Sequence, residues 1–343
     1  MRKILNTLYV TSQDKYLSLE GENIVIKQNG EKVARLPLHN VGSIVTCGYN
    51  GVSPALMGAC AKRQIDLVFL SYNGNFMARI VGTEYGNVVL RRTQYRVADN
   101  IEVSNDISKN FIIGKIFNQR WFIERMLRDY PMRVDYEKLK QVSMCLNNSL
   151  KNIRLCDNSE SLLGLEGEAA SIYFSCFDDF ILNQKDDFRF ASRNRRPPLD
   201  NVNAMLSFGY TLLANDCASA LSSVGLDPYV GFYHKDRPGR CSLALDLMEE
   251  LRCVMVDRLV ISLINKKMIK GNDFIKKEDG AVLMSDKAKK VFLENWQKNK
   301  LVEIKHTYLK EKVQWGIVPY VQSLLLARFL RGDLDGYPVF LWK

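Results

Sequence analysis

The sequence predicts an α+β protein, a β-rich N-terminal domain followed by a larger all-α domain. Up to about residue 82, apolar residues fall in short alternating runs separated by turn formers, the pattern of half-buried strands. From about Asp106 they recur at helical spacing instead. The length, 343 residues, at about 100 to 200 residues per domain, allows two domains and enough chain to bury a full core. The expected division is 1–86 for the β-rich domain, 87–105 for a linker and 106–343 for the helical domain.

In the first part, Tyr16, Leu17 and Leu19 lead into Asn23 to Lys27, and Asn29-Gly30 joins that run to Lys32 to Leu36. Asn-Gly between two such runs predicts a tight hairpin, because a type I′ turn needs positive φ at both central residues. Further strands are expected at Gly42 to Val45, Asp66 to Leu70 and Phe76 to Val81. One helix interrupts them: Ser53 suits the N-cap, Pro54 the first helical position, and Ala55 to Lys62 continue it. The stretch Asn87 to Asn105, which contains Arg91-Arg92-Thr93-Gln94-Tyr95-Arg96, reads as the linker. Beyond it, Ile112, Ile116, Ile123 and Leu127 share one helix face, with Lys115, Arg120, Arg125 and Arg128 off that stripe. Leu206, Tyr210 and Leu213 begin another helix, which Gly225 is placed to end. Val256 to Ile264 and Val321 to Leu330 read as buried helices, the second with Pro319 near its start.

An apolar share of 47% and a charged share of 25% exclude a disordered, collagen-like or membrane-embedded chain. The start turns polar after two apolar residues, so it holds no signal-peptide core, and the densest apolar run, Leu324 to Leu330, is short and broken by Arg328. A cytoplasmic protein is expected. None of the eight cysteines forms a C-x-x-C pair, which speaks against structural zinc and for reduced core residues.

Charge is distributed in blocks. The net +10 divides into +3 over residues 1–90, +4 over 91–160, −4 over 161–260 and +7 over 261–343. Basic flanks suit a polyanion, since each Lys or Arg that meets a phosphate releases condensed counterions. Carboxylates between such flanks suggest a divalent metal that sits between them and phosphate.

Three segments of the acidic block stand out. In Leu163-Gly164-Leu165-Glu166-Gly167-Glu168-Ala169-Ala170, Glu166 lines up with Ala170, Tyr173 and Phe177 on a helix face that should meet protein, and a buried carboxylate needs a partner or a metal. Glu168 points to the opposite side. Gly164 and Gly167 weaken that helix, a cost that close backbone approach would offset. His234 is one of only three histidines, the others being His39 and His306, the latter in a basic, exposed-looking helix. In Leu243-Ala244-Leu245-Asp246-Leu247-Met248-Glu249-Glu250-Leu251-Arg252, Leu243, Leu247, Leu251 and Val254 form an apolar stripe while Asp246 and Glu249 share a neighbouring face. Each segment alone also reads as an ordinary ion pair, structural histidine or solvated face. Together, mixed carboxylate and imidazole ligands suit Mn²⁺ or Mg²⁺ and a phosphodiester substrate. No dinucleotide fingerprint, phosphate-binding P-loop, hydrolase elbow or H-E-x-x-H motif is present.

The whole pattern resembles the CRISPR-associated endonuclease/integrase of spacer acquisition, the Cas-one family. The matching pieces are Leu90-Arg91-Arg92-Thr93-Gln94-Tyr95, Leu163 to Ala170, Asn203-Ala204-Met205-Leu206-Ser207-Phe208-Gly209-Tyr210, Gly225 to His234, Ser242 to Glu250 and Gly336-Tyr337-Pro338-Val339-Phe340-Leu341-Trp342-Lys343. The loop His234-Lys235-Asp236-Arg237-Pro238-Gly239-Arg240 and the aromatic tail look like the type I-C branch. The resemblance implies a homodimer formed largely through the β-rich domains. It also implies metal ligation by Glu166, His234 and Glu249, with Asp246 a further acidic member of the site. The family often has Asp where Glu249 stands. The implied reaction is a metal-assisted transesterification with Mg²⁺ or Mn²⁺, in which the 3′-hydroxyl of a short DNA fragment attacks the edge of a CRISPR repeat. The implied partners are double-stranded DNA and a small ferredoxin-like subunit, one dimer of which is flanked by two dimers of this chain. Arg189, Arg193, Arg195 and Arg196, before Pro197-Pro198, and Lys266, Lys267 and Lys270 are the expected phosphate contacts. The alternatives are a structure-specific repair nuclease and a non-catalytic DNA-binding scaffold.

Overall fold

The computed structural model describes residues 7–12, 14–48, 50–63, 65–71, 76–80, 82 and 88–343. Residues 83–87, where the expected domain boundary falls, and Val81, the end of the last expected strand, lie outside them. The chain divides into two compact units. The first takes in the described residues up to position 85, Met284–Glu303 and Gln314–Ile317; the second takes in those from position 86 to Leu283, Ile304–Val313 and Val318–Lys343.

The first unit is built from β1 (Thr7–Val10), β2 (Lys15–Glu20), β3 (Asn23–Gln28), β4 (Glu31–Pro37), β5 (Ser43–Cys47), β6 (Gly51–Val52), α1 (Pro54–Arg63), β7 (Asp66–Leu70) and β8 (Phe76–Ile80). The strands form two four-stranded sheets, in the orders β1-β5-β7-β8 and β4-β3-β2-β6. The β3–β4 hairpin turns at Asn29 (φ 51°) and Gly30 (φ 85°), closed by the pair Gln28↔Glu31. These are the positive angles that Asn-Gly accepts at low cost. The N-cap of α1 is Ser53, whose Oγ accepts from the Leu56 amide at 3.2 Å. Leu17, Ile24, Leu38, Ile44, Leu56 and Leu67 close the core.

The second unit contains α2 (Val88–Asp99), α3 (Ile101–Asp129), α4 (Tyr136–Arg154), α5 (Ser159–Ser175), α6 (Asn201–Ser223) and α7 (Ser242–Glu249). A π-helical stretch, Arg252–Asp257, leads into α8 (Arg258–Asn265). The chain continues through β9 (Phe274–Lys276), β10 (Val282–Met284), α9 (Asp286–Lys300), β11 (Glu303–Lys305), β12 (Lys312–Gln314) and α10 (Val318–Leu330). Short polar side chains start the long helices: Asn100, Asp135, Asn158 and Asp200 each accept a backbone amide of the first turn. On α3 the expected stripe is real, with Ile112, Ile116 and Ile123 fully buried.

Three expectations are corrected. The span 87–105 is not a linker: from Val88 it is helix α2 and the start of α3, because Leu90 and Gln94 pack inward and the Gln94 amide bonds the Asp227 and Val230 carbonyls at 2.8 Å each. The C-terminal part is helical as expected and carries two small ribbons besides, β9 paired with β10 and β11 with β12. The span 106–343 does not form one body, because Met284–Glu303 and Gln314–Ile317 belong to the first unit. His306 is fully buried after β11 rather than on an exposed helix. Its Nε2 lies 3.0 Å from Gln322 Oε1, and burial pushes its pKa down although that bond pulls upward.

The last residues are woven into the second unit beside α7. Glu250 Oε1 accepts from the Tyr337 hydroxyl at 2.5 Å and from Gln322 at 3.1 Å, and Oε2 from the Phe340 amide at 2.6 Å. Asn118 bonds both the Glu250 and Phe340 carbonyls. The guanidinium groups of Arg125 and Arg258 lie 4.1 and 4.0 Å from the centre of the Trp342 ring. All eight cysteines are free thiols.

Candidate active site

Helices α3, α5 and α7 and the loop before α7 bring Lys115, Glu166, His234 and Glu249 to one cavity of about 440 Å³. Glu166 is partly exposed and Glu249 is buried. Glu249 is held on both sides: Arg252 Nη2 lies 2.9 Å from Oε1 and Lys115 Nζ 3.0 Å from Oε2. Lys115 also pairs with Glu166 Oε1. Burial pushes the Glu249 carboxyl upward, but Arg252, Lys115 and His234 outweigh it and bring the pKa down to about 2. The carboxylate is therefore ionised at neutral pH.

Asp246 organises the histidine loop. It is fully buried. Its Oδ2 accepts from the amides of Phe232 and Tyr233 at 2.7 and 3.0 Å, and its Oδ1 from the amide of His234 at 2.9 Å. His234 Nδ1 lies 2.6 Å from the same Oδ1. That contact fixes the ring and leaves Nε2 as the nitrogen available to a ligand. Asp246 is thus a positioning residue whose bonds are spent on the loop. Gly231 makes this possible, because a Cβ there would come within 2.8 Å of Asp246 Oδ2 and of Ser242 Cβ.

Tyr233 donates to Glu166 Oε2 at 3.3 Å. Burial, and then the Glu166 and Glu249 carboxylates, push the Tyr233 hydroxyl far up, so it remains a donor. The sequence signal for Tyr233 and Arg252 was their adjacency to His234 and Glu249. Lys115 had none, since helical spacing puts it off the apolar stripe, yet it is buried against carboxylates from elements 51 and 134 residues further along. Glu168 is exposed, as its helical position predicts. Gly164 and Gly167 are not tight contacts: a Cβ at either would meet nothing within 4 Å.

Of the expected phosphate contacts, Arg195 lines the cavity and is exposed, as are Arg189 and Arg196. Arg193 turns inward. It bonds Asn203 Oδ1 at 2.6 Å and Ser207 Oγ at 3.1 Å and lies 5.4 Å from the Tyr210 ring centre. Lys266, Lys267 and Lys270 are exposed after α8 and do not line the cavity.

Two carboxylates and an imidazole are donors that suit a hard divalent cation. Glu249 Oε2 is buried, and the Lys115 ammonium at 3.0 Å is the cation it faces. No three His, Cys, Asp or Glu side chains among the described residues stand close enough to hold an ion as they are, and the Lys115 ammonium already lies between the two carboxylates. By type and charge the residues present suit such an ion.

The sequence profile described as "CRISPR associated protein Cas1" matches residues 8–298. The chain belongs to the Cas1 family. It is 49% identical to "CRISPR-associated endonuclease Cas1 2" of Rhodospirillum rubrum and 47% identical to "CRISPR-associated endonuclease Cas1 1" of Chlorobaculum tepidum, over all of both chains in each case. Among solved structures, a Cas1 protein from Thermotoga maritima superposes with a TM-score of 0.81 at 23% identity, covering 97% of this chain and 99% of that one. A casposase bound to an integration product superposes at 0.84 and 23%, covering 96% and 92%. At those identities the structural likeness shows the Cas1 fold. No helix among the described residues is long and apolar enough to cross a membrane.

Proposed function

We infer that this Cas1-family chain is a metal-dependent DNA endonuclease and integrase of CRISPR adaptation, joining short DNA fragments as new spacers into the repeat array. The observation that carries the reading is the convergence of Glu166, Glu249 and His234 on one cavity rimmed by Arg195, Lys235, Arg237 and Arg240. The full-length relatives are named as endonucleases, and a neighbour of the same fold is a casposase seen with an integration product.

In the reaction, the 3′ oxygen of the fragment bonds to the phosphorus at the 5′ edge of the repeat as the 3′ oxygen of the flanking strand leaves with the proton. One phosphodiester is exchanged for another, and no nucleotide cofactor is consumed. Glu166, His234 and Glu249 would hold Mg²⁺ or Mn²⁺, which supplies Lewis-acid polarisation of the phosphate and a more acidic hydroxyl. Asp246 keeps the His234 ring in place, and Tyr233 orients Glu166. The cationic rim offsets the charge of the incoming backbone.

A homodimer formed through the β-rich unit, paired with a small ferredoxin-like subunit as two dimers about one, suits a protein that must hold duplex DNA across two sites. A structure of the same fold is part of a Cas6-RT-Cas1–Cas2 complex. The His234–Arg240 loop and the aromatic tail support the type I-C branch, and the cytoplasm is the compartment that fits. The test incubates the protein, with and without the small subunit, with a 3′-hydroxyl duplex and a supercoiled plasmid carrying a repeat. Joined product should appear only with Mn²⁺ or Mg²⁺ and vanish in His234→Ala. Cleavage without joining under every condition favours the repair-nuclease alternative, and no metal-dependent change in either DNA favours the scaffold.

A further inference from the structure

Lys115 is a buried ammonium whose partners are the two carboxylates expected to bind metal. Its side chain is 7% exposed, and burying such a group is costly unless opposite charge surrounds it. The converse also holds. Glu166 on α5 and Glu249 on α7 carry like charges into one cavity, and without a cation between them they would repel or take up a proton.

The two cations at Glu249 are not equivalent. Arg252 bonds Oε1 through a planar guanidinium and lies 5.1 Å over the Tyr210 ring, so its place is fixed from two sides. Lys115 faces the other oxygen, Oε2, at 3.0 Å. An ammonium there brings a compact positive charge to that oxygen, which a spherical ion can also do. The lysine stem is unbranched and flexible, and its head is a point charge.

We propose that Lys115 is the resident cation of this site, holding Glu166 and Glu249 together until a divalent ion displaces it from the same space. This rests on the metal-dependent reading above. Metal affinity is then set by competition with an internal ammonium, and the site stays assembled in metal-free protein.

The experiment measures Mn²⁺ binding to the full-length protein by the electron paramagnetic resonance signal of free Mn²⁺, and thermal unfolding in EDTA and in Mn²⁺. Wild type, Lys115→Met and Lys115→Gln are compared, with Gln as the polar variant should Met fail to fold. Both variants should bind Mn²⁺ at least tenfold more tightly than wild type. Their Tm should fall by several degrees in EDTA and recover in Mn²⁺ by a larger rise than wild type shows. Equal or weaker Mn²⁺ binding in folded variants, with wild type binding normally, overturns the role of Lys115 alone. Absence of Mn²⁺ binding in all three folded proteins overturns the metal reading and this proposal with it.

Discussion

Asp257 shows how much a single buried side chain does in this fold. Its Oδ2 accepts from the Tyr173 hydroxyl of α5 at 3.0 Å and its Oδ1 from the Tyr210 hydroxyl of α6 at 2.6 Å, so one carboxylate ties two helices to the start of α8. Burial lifts its pKa to about 6, although Tyr210, Tyr173, Arg252 and Arg193 pull it back. A folded-state value above the unfolded one, near 3.9, means that the folded protein holds the extra proton between those two values. Asp257 therefore contributes stability that is fully present below about pH 4 and lost as pH rises through 6. A shift of roughly 2 units corresponds to about 3 kcal/mol. Urea unfolding of Asp257→Asn between pH 4 and 7.5 should lack this downward slope, and a slope equal to that of wild type would refute the assignment. At this scale the sequence was readable where a residue type is its own signal. Glu166 announced itself as a carboxylate on a face that should meet protein, and Glu249 as one of two carboxylates sharing a turn. Lys115 did not, because a cation off an apolar stripe normally meets solvent, and the carboxylates that bury it arrive from distant segments. His306 was misread for the same reason: its partner Gln322 lies on α10.

Among the elements, α5 is the one whose composition opposes its structure. Gly164 and Gly167 each cost a helix interior about 1 kcal/mol relative to Ala, and the expectation of a close-packed neighbour fails, since a Cβ at either would meet open space. Gly167→Ala should therefore raise the Tm by about 1 to 2 °C, as read by calorimetry; a fall would mean that an interaction unseen in the isolated chain needs the glycine. The β3–β4 hairpin and α1 were legible because Asn-Gly and Ser-Pro act locally. Helix α2 was not, because the arginine-rich run suggested a solvated connector while Gln94 was in fact reserved for carbonyls more than 130 residues away. The small ribbons β9–β10 and β11–β12 were missed for a simpler reason: strands of three residues are too short to show a period.

For the molecule as a whole, net charge predicts a polyanion partner but not which cations touch it. Arg195 lines the cavity and Arg196 is exposed beside it, whereas Lys266, Lys267 and Lys270 lie apart from the cavity lining. Replacing Arg195 and Arg196 together by Ala should reduce the slope of log K against log salt by about 2 for duplex DNA, close to 0.9 per lost phosphate contact. The same measurement on the three lysines should change less, and an unaltered slope for the arginine pair would remove them from the interface. The division into a β-rich and a helical unit was legible from the change of period near Asp106. The return of Met284–Glu303 and Gln314–Ile317 to the first unit was not, because local patterning carries no record of which body a late segment rejoins. One further consequence lies in the order of synthesis. Tyr337, Phe340 and Trp342 are threaded against Glu250, Asn118, Arg125 and Arg258, next to the helix that carries Glu249. Those residues leave the ribosome after every side chain of the cavity has been made. A nascent chain that already carries Glu249 but not yet residues 337–342 thus holds that helix without its backing.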